Sequence, residues 1–148
     1  MPDVGPIVVG TDFSETAGVA LAEARRLAGL LRTEVVVVHV ADGQSMANGG
    51  SAAERWLRSA GLEAGVLVVR TGSAWVELAR YAAEVAPALV VVGSHGLSGY
   101  QPLTIGSTAS RVTMHARCPV VVVSPRVGAS PLEKAAGEGR GEGRSGRT

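Results

Sequence analysis

The segment running from Ala88 to Thr108 constrains the chain most. It reads as a buried strand, a glycine-punctuated loop and the opening of a helix. Leu89 to Val92 are apolar without alternation, the pattern of a parallel strand covered on both faces. Gly93, Gly96 and Gly99 then let the backbone turn tightly and approach a ligand closely. Gly106-Ser107-Thr108 falls where the helix opens, so unpaired N–H groups, two hydroxyls and the positive end of the helix dipole meet at one point. Together these features describe an anion cradle.

Other readings compete for the segment. A Walker A loop requires a Lys-Ser/Thr pair after its second glycine, and the chain has no lysine before Lys134. A dinucleotide fingerprint packs three glycines into six residues at one turn, which this spacing does not do. On glycine content alone, an ordinary surface loop between strand and helix explains the segment equally well.

The same apolar pattern recurs along the chain. Val4–Gly10, Glu34–Val40, Gly65–Arg70, Leu89–Val92 and Val120–Val123 read as strands, with helical periodicity between them. Ser14 is a suitable N-cap for a helix whose stripe is Ala17, Ala20, Leu21, Ala24, Leu27, Ala28 and Leu31. Asp42–Ser51 reads as a polar loop and Ala52–Ser59 as a short helix with Trp56 and Leu57 inward. Ser73 is expected to cap a helix with Val76, Ala79, Ala82, Ala83 and Ala86 inward, ended by Pro87. Ser107–Ala116 forms the last helix, with Ala109, Val112 and Ala116 inward. Strands alternating with helices imply an α/β, doubly wound, Rossmann-like domain: a parallel sheet with helices on both faces. With five aromatic residues in 148, its core is built from valine, leucine and alanine.

The domain is expected to span residues 1–125. Residues 126–148 read as a disordered tail, in which Gly137–Thr148 has no apolar periodicity and repeats Gly-Glu-Gly-Arg. This tail carries five basic and three acidic residues, leaving a body close to neutral. A body of that kind argues against nucleic acid as a partner. Cys118 is the single cysteine, so an internal disulfide and a cysteine-cluster zinc site are both excluded, and a buried, inert thiol is expected. No run reaches the ~18 apolar residues of a membrane span, and no secretory signal stands at the start. The expected location is cytoplasmic, without membrane association.

The spacing of the glycines then becomes specific. Gly93-x-x-Gly96, nine residues, then Gly106-Ser107 is the pattern G-x-x-G-x(9)-G-S/T. With it, the chain resembles the universal stress protein family, in particular its ATP-binding members. Ile7-Val-Val-Gly-Thr11-Asp12-Phe-Ser14, Val35-Val-Val-Val-His39-Val40 and Arg111-Val-x-x-His115-x-x-Cys118-Pro119 carry the likeness through the remaining elements, over about residues 5 to 124.

The resemblance implies a five-stranded sheet in the order 3-2-1-4-5, with a ligand crevice at the carboxyl ends of strands one and four. There Asp12 would accept hydrogen bonds from ribose hydroxyls or take part in the adenine pocket; the competing reading, preferred were the glycine loop absent, is a helix-start carboxylate stabilised by the dipole. Val40 would offer adenine an apolar wall and backbone polar groups, and Val92 and Gly93 would line the pocket. Gly96, Gly106, Ser107 and Thr108 would hold phosphates, with His95 as a polar contact. ATP or AMP is the implied cofactor, and magnesium would share the phosphate charge in place of a lysine. The resemblance also implies a homodimer through the Val120–Val123 strand, whose apolar edge needs a cover.

Two departures stand out. The segment between Gly99 and Gly106, often basic in relatives, is Tyr-Gln-Pro102-Leu-Thr-Ile, and Gly10 stands where some nucleotide-binding members have proline. The implied role is a stress-response sensor or regulatory module. A slow ATPase or phosphotransferase, and an interaction module that does not bind nucleotide, are the alternatives. No general base, arginine finger or lysine is placed for rapid phosphoryl transfer, so no catalytic residue is assigned.

Overall fold

Parallel β pairing of β1 (Ile7–Thr11) with both β2 (Val35–Ala41) and β4 (Leu89–Gly93) forms the centre of the molecule. β3 (Leu67–Thr71) and β5 (Val120–Val123) pair outside these, giving a five-stranded parallel sheet in the order β3-β2-β1-β4-β5. The computed structural model describes residues 4–41, 46–62, 67–96 and 105–125. The expected tail and most of the phosphate loop, with Gly99 and Pro102, lie outside them.

Helices cover both faces. α1 (Glu15–Leu31) and α2 (Met46–Ser59) pack on one face, where Ile7, Val9, Val37 and Val91 meet Leu21, Ala24 and Leu57. α3 (Ala74–Val85) and α4 (Ser107–His115) cover the other, where Val8, Val38, Val90 and Val92 meet Leu78, Ala82, Ala109 and Val112. The central strands are thus apolar on both sides, which is why their sequences show no alternation. Among the described residues, no helix is long and apolar enough to cross a membrane.

Local chemistry explains most boundaries. Ser14 caps α1 by accepting the Ala17 N–H at 3.2 Å. α1 ends with Arg32 and α3 with Ala86 in the left-handed conformation, and Pro87 stops α3 from continuing.

Four expectations change, the first being that Leu31, expected on the apolar stripe of α1, is exposed at the end of that helix. α2 starts at Met46, so the expected loop up to Ser51 is largely helical. Ala53 and Leu57 are fully buried and anchor that helix; this packing outweighs the roughly 1 kcal/mol that each of Gly49 and Gly50 costs a helix. In α3 the inward stripe is Trp75, Leu78, Ala82 and Val85, whereas Ala83 and Ala86 are exposed. The larger side chains set the helix's phase against the sheet, because they bury more apolar area than alanine. Ser73 stands at the N-cap of α3, but its hydroxyl makes no capping bond.

Candidate nucleotide cleft

The winding of the chain reverses between β1 and β4. The β1–β4 register runs from Ile7↔Leu89 to Val9↔Val91, whereas β1–β2 continues to Thr11↔His39 and β4–β5 to Gly93↔Val123. Beyond Val9 and Val91 the two central strands therefore lead into different loops. A crevice opens between them at the carboxyl end of the sheet, where ligands bind in open α/β folds.

The crevice is a cleft of about 220 Å³. Its walls bring together Asp12, Val40, Val92, Gly93, His95, Gly96, Gly106, Ser107 and Thr108, which are all nine of the residues singled out in the sequence. Val38, Val40, Leu78, Val92 and Ala109 make an apolar wall, while Asp12, His95, Ser107 and Thr108 supply polar groups.

Asp12 leaves β1 at a tight turn. Its Oδ1 accepts the Ser14 N–H at 3.0 Å, and Thr11 Oγ1 accepts the Phe13 N–H, also at 3.0 Å. Between these bonds Phe13 takes a left-handed conformation with φ 64°, unfavourable for an aromatic residue. Its ring is held against His39, 4.3 Å between centroids, and Trp56, 5.6 Å. His39 Nδ1 lies 3.0 Å from the Thr11 carbonyl oxygen. The histidine of β2 therefore supports the Asp12 turn from the α1/α2 face and does not line the cleft, in keeping with a core role.

At the far side Ser94 is buried, and its Oγ lies 2.8 Å from His95 Nδ1. The Ser94 N–H donates to the Val123 carbonyl at 2.8 Å, and the Gly106 N–H donates to the Ser94 carbonyl at 2.6 Å. These bonds tie the end of β4 to β5 and to the start of α4. They also divide the work at the helix start. The Gly106 N–H is already used, while the first intrahelical bond runs from the Ser110 N–H to the Gly106 carbonyl. The N–H groups of Ser107, Thr108 and Ala109 thus have no partner within α4, and all three residues line the cleft.

Close approach within the protein crowds all three glycines. A Cβ at Gly93 would lie 2.7 Å from Thr16 Cγ2 of α1. One at Gly96 would lie 2.5 Å from Asp12 Oδ2, and one at Gly106 would lie 3.0 Å from the Ser94 carbonyl oxygen. None of the three has the positive φ that glycine alone adopts readily.

Thr11, Ala17, Val38, Ala74, Leu78, Ser94 and Ala109 also line the cleft, together with Gly10. These eight residues lie beyond the nine singled out in the sequence. Leu78 was within reach, since a stripe phased on the largest apolar residues of α3 points it inward. Ser94 carried no separate signal beyond lying inside the motif.

A family model for the universal stress protein family matches residues 4–124. The chain belongs to the universal stress protein family. Over 38 residues it is 55% identical to a universal stress protein of Mycolicibacterium smegmatis; that match covers 26% of this chain and 13% of the relative's length. Among solved structures, a universal stress protein of Lactobacillus plantarum superposes with a TM-score of 0.64 at 24% identity, covering 83% of this chain and 99% of the other. A universal stress protein from Pseudomonas aeruginosa superposes with a TM-score of 0.73 at 21% identity, and the match covers 90% of this chain but 52% of that one. These two likenesses concern the fold. A universal stress protein in complex with cAMP is 25% identical, with a TM-score of 0.63 and coverage of 82% of this chain and 97% of that one.

Proposed function

We propose that this universal stress protein binds an adenine nucleotide, ATP or AMP, at the β1–β4 cleft and acts as a dimeric regulatory module in stress response. One observation carries the reading: the first-turn residues of α4, Asp12 and an apolar wall all line one crevice at the winding reversal. The chemistry of these groups fits the parts of a nucleotide. Ser107, Thr108 and Ala109 present N–H groups to phosphate, Asp12 is the acceptor for ribose or base, and Val38, Val40, Leu78 and Val92 offer adenine an apolar surface. The relative that holds cAMP supports the same ligand class.

Magnesium would bind chiefly through the nucleotide. Among the described residues no cluster of three or more His, Cys, Asp or Glu side chains could hold a metal, whereas Mg²⁺ commonly uses one or two carboxylates together with substrate phosphates and water. Asp12 is the carboxylate in the described lining. Dimerisation through β5 belongs to the same proposal, because that strand is an edge of the sheet and all four of its valines are only half-buried.

Calorimetric titration of nucleotide-stripped protein with ATP, with and without Mg²⁺, and with AMP tests the site. Micromolar binding is expected, and no heat and no thermal shift with any adenine nucleotide would refute it. Light scattering at micromolar concentration tests the dimer, and a monomeric mass would refute that part.

A further inference from the structure

The Asp12 carboxylate is clasped from two sides. Oδ1 accepts the Ser14 N–H at 3.0 Å, and Oδ2 sits so close beneath Gly96 that a Cβ there would lie 2.5 Å away. Real Cβ atoms do not approach an oxygen so closely. A side chain at position 96 would therefore push Oδ2 aside, and a turn about the Asp12 Cβ–Cγ bond also moves Oδ1 relative to the Ser14 N–H it accepts.

We infer that Gly96 is a positioning residue for Asp12: its missing side chain sets where Oδ2 stands, so its contribution to nucleotide binding passes through the carboxylate instead of through the phosphates. This rests on the nucleotide reading and refines it. The second glycine of the motif then belongs energetically to the ribose and base end of the ligand, and the α4 turn to the phosphate end. Carboxylate and glycine come from opposite sides of the crevice, one after β1 and one after β4. Their contact therefore also links the two halves of the sheet at the winding reversal.

A double-mutant cycle of Gly96→Ala and Asp12→Ala tests this, with adenosine and AMP as ligands and urea unfolding of each variant without ligand. Gly96→Ala alone is expected to weaken adenosine and AMP equally, by about tenfold or more, the scale of a lost charge-assisted hydrogen bond. In the Asp12→Ala background the same change is expected to cost less than about twofold, because the atom it strikes is gone. Equal losses in both backgrounds would overturn the inference, as would a Gly96→Ala protein that loses AMP but keeps adenosine. The unfolding arm stands apart from the ligand: Gly96→Ala is expected to destabilise the protein less when Asp12 is alanine. Coupling in unfolding without any nucleotide binding would refute the nucleotide reading and leave the Gly96–Asp12 contact standing, whereas additive unfolding would refute the contact itself.

Discussion

Gly106→Val separates the phosphate end of the cleft from the rest. Gly106 has φ −58° and ψ 156°, values that valine adopts without strain, so the perturbation comes from contact alone. Its Cβ would lie 3.0 Å from the Ser94 carbonyl oxygen and 3.6 Å from His95 Cα. That carbonyl cannot simply retreat, because it also accepts the Gly106 N–H at 2.6 Å. Two γ-methyl groups would add to the crowding, so the first turn of α4 must shift away from the end of β4. Donors to an anion work best near 2.7–2.9 Å, and a shift of several tenths of an ångström forfeits at least one such bond. A hydrogen bond to a charged group contributes about 1.5–3 kcal/mol, or about 10- to 100-fold in Kd. AMP affinity should fall by that factor, while adenosine, which has no phosphate, should change by less than about threefold. Overpacking should also lower stability by about 1–3 kcal/mol, so titration calorimetry is paired with urea unfolding to confirm that the variant is folded. A folded variant that binds AMP as the wild type does, or that loses adenosine and AMP in equal proportion, would refute the assignment of the α4 turn to phosphate.

Other outcomes follow from the packing. Leu57→Ala removes a fully buried side chain from the α1/α2 face and should cost about 2–5 kcal/mol in urea unfolding; a cost below about 1 kcal/mol would show that α2 does not seal that face. Ser14→Ala should cost about 1 kcal/mol and Ser14→Gly only a few tenths, since the hydroxyl accepts the Ala17 N–H at the start of α1; equal costs would argue against the cap. Partial burial pushes the Cys118 thiol above its ordinary range. Its thiolate fraction near neutral pH is therefore lower than that of a free cysteine, and alkylation should be slow there and still accelerating above pH 9. Because the unfolded thiol ionises first as pH rises, this group's contribution to stability is complete below the unfolded pKa and lost as pH climbs through the folded one. A rate that levels off like a free thiol's would contradict the burial.

Much of the site was legible because it is written in short local patterns. Val35–Val38 and Leu89–Val92 announce strands buried on both faces, and the spacing of Gly93, Gly96 and Gly106 marks the crossover that follows β4. The reasons for those glycines were not legible. Thr16, Asp12 and the Ser94 carbonyl, which each of them approaches, lie up to 84 positions away in sequence, as between Asp12 and Gly96. An alanine stripe leaves the phase of α3 open, because alanine is common to its inward and outward faces, whereas a stripe on Trp75, Leu78 and Val85 matches the packing against Val38 and Val92. Likewise, nothing in Asp42–Ser51 marks the start of α2, whose anchors Ala53 and Leu57 lie later in the chain.

By itself, then, the sequence determined the order and type of the elements and nine of the residues that line the cleft, because parallel strands, helix caps and glycine spacing follow from local sterics and from periodicity. Only the tertiary structure decided what those residues do to one another. It committed the Gly106 N–H to Ser94, placed Ser107, Thr108 and Ala109 along the cleft, and set the Asp12 carboxylate beneath Gly96. Such contacts depend on where two distant strands end relative to each other, and that is settled by packing the sheet between its two helical layers.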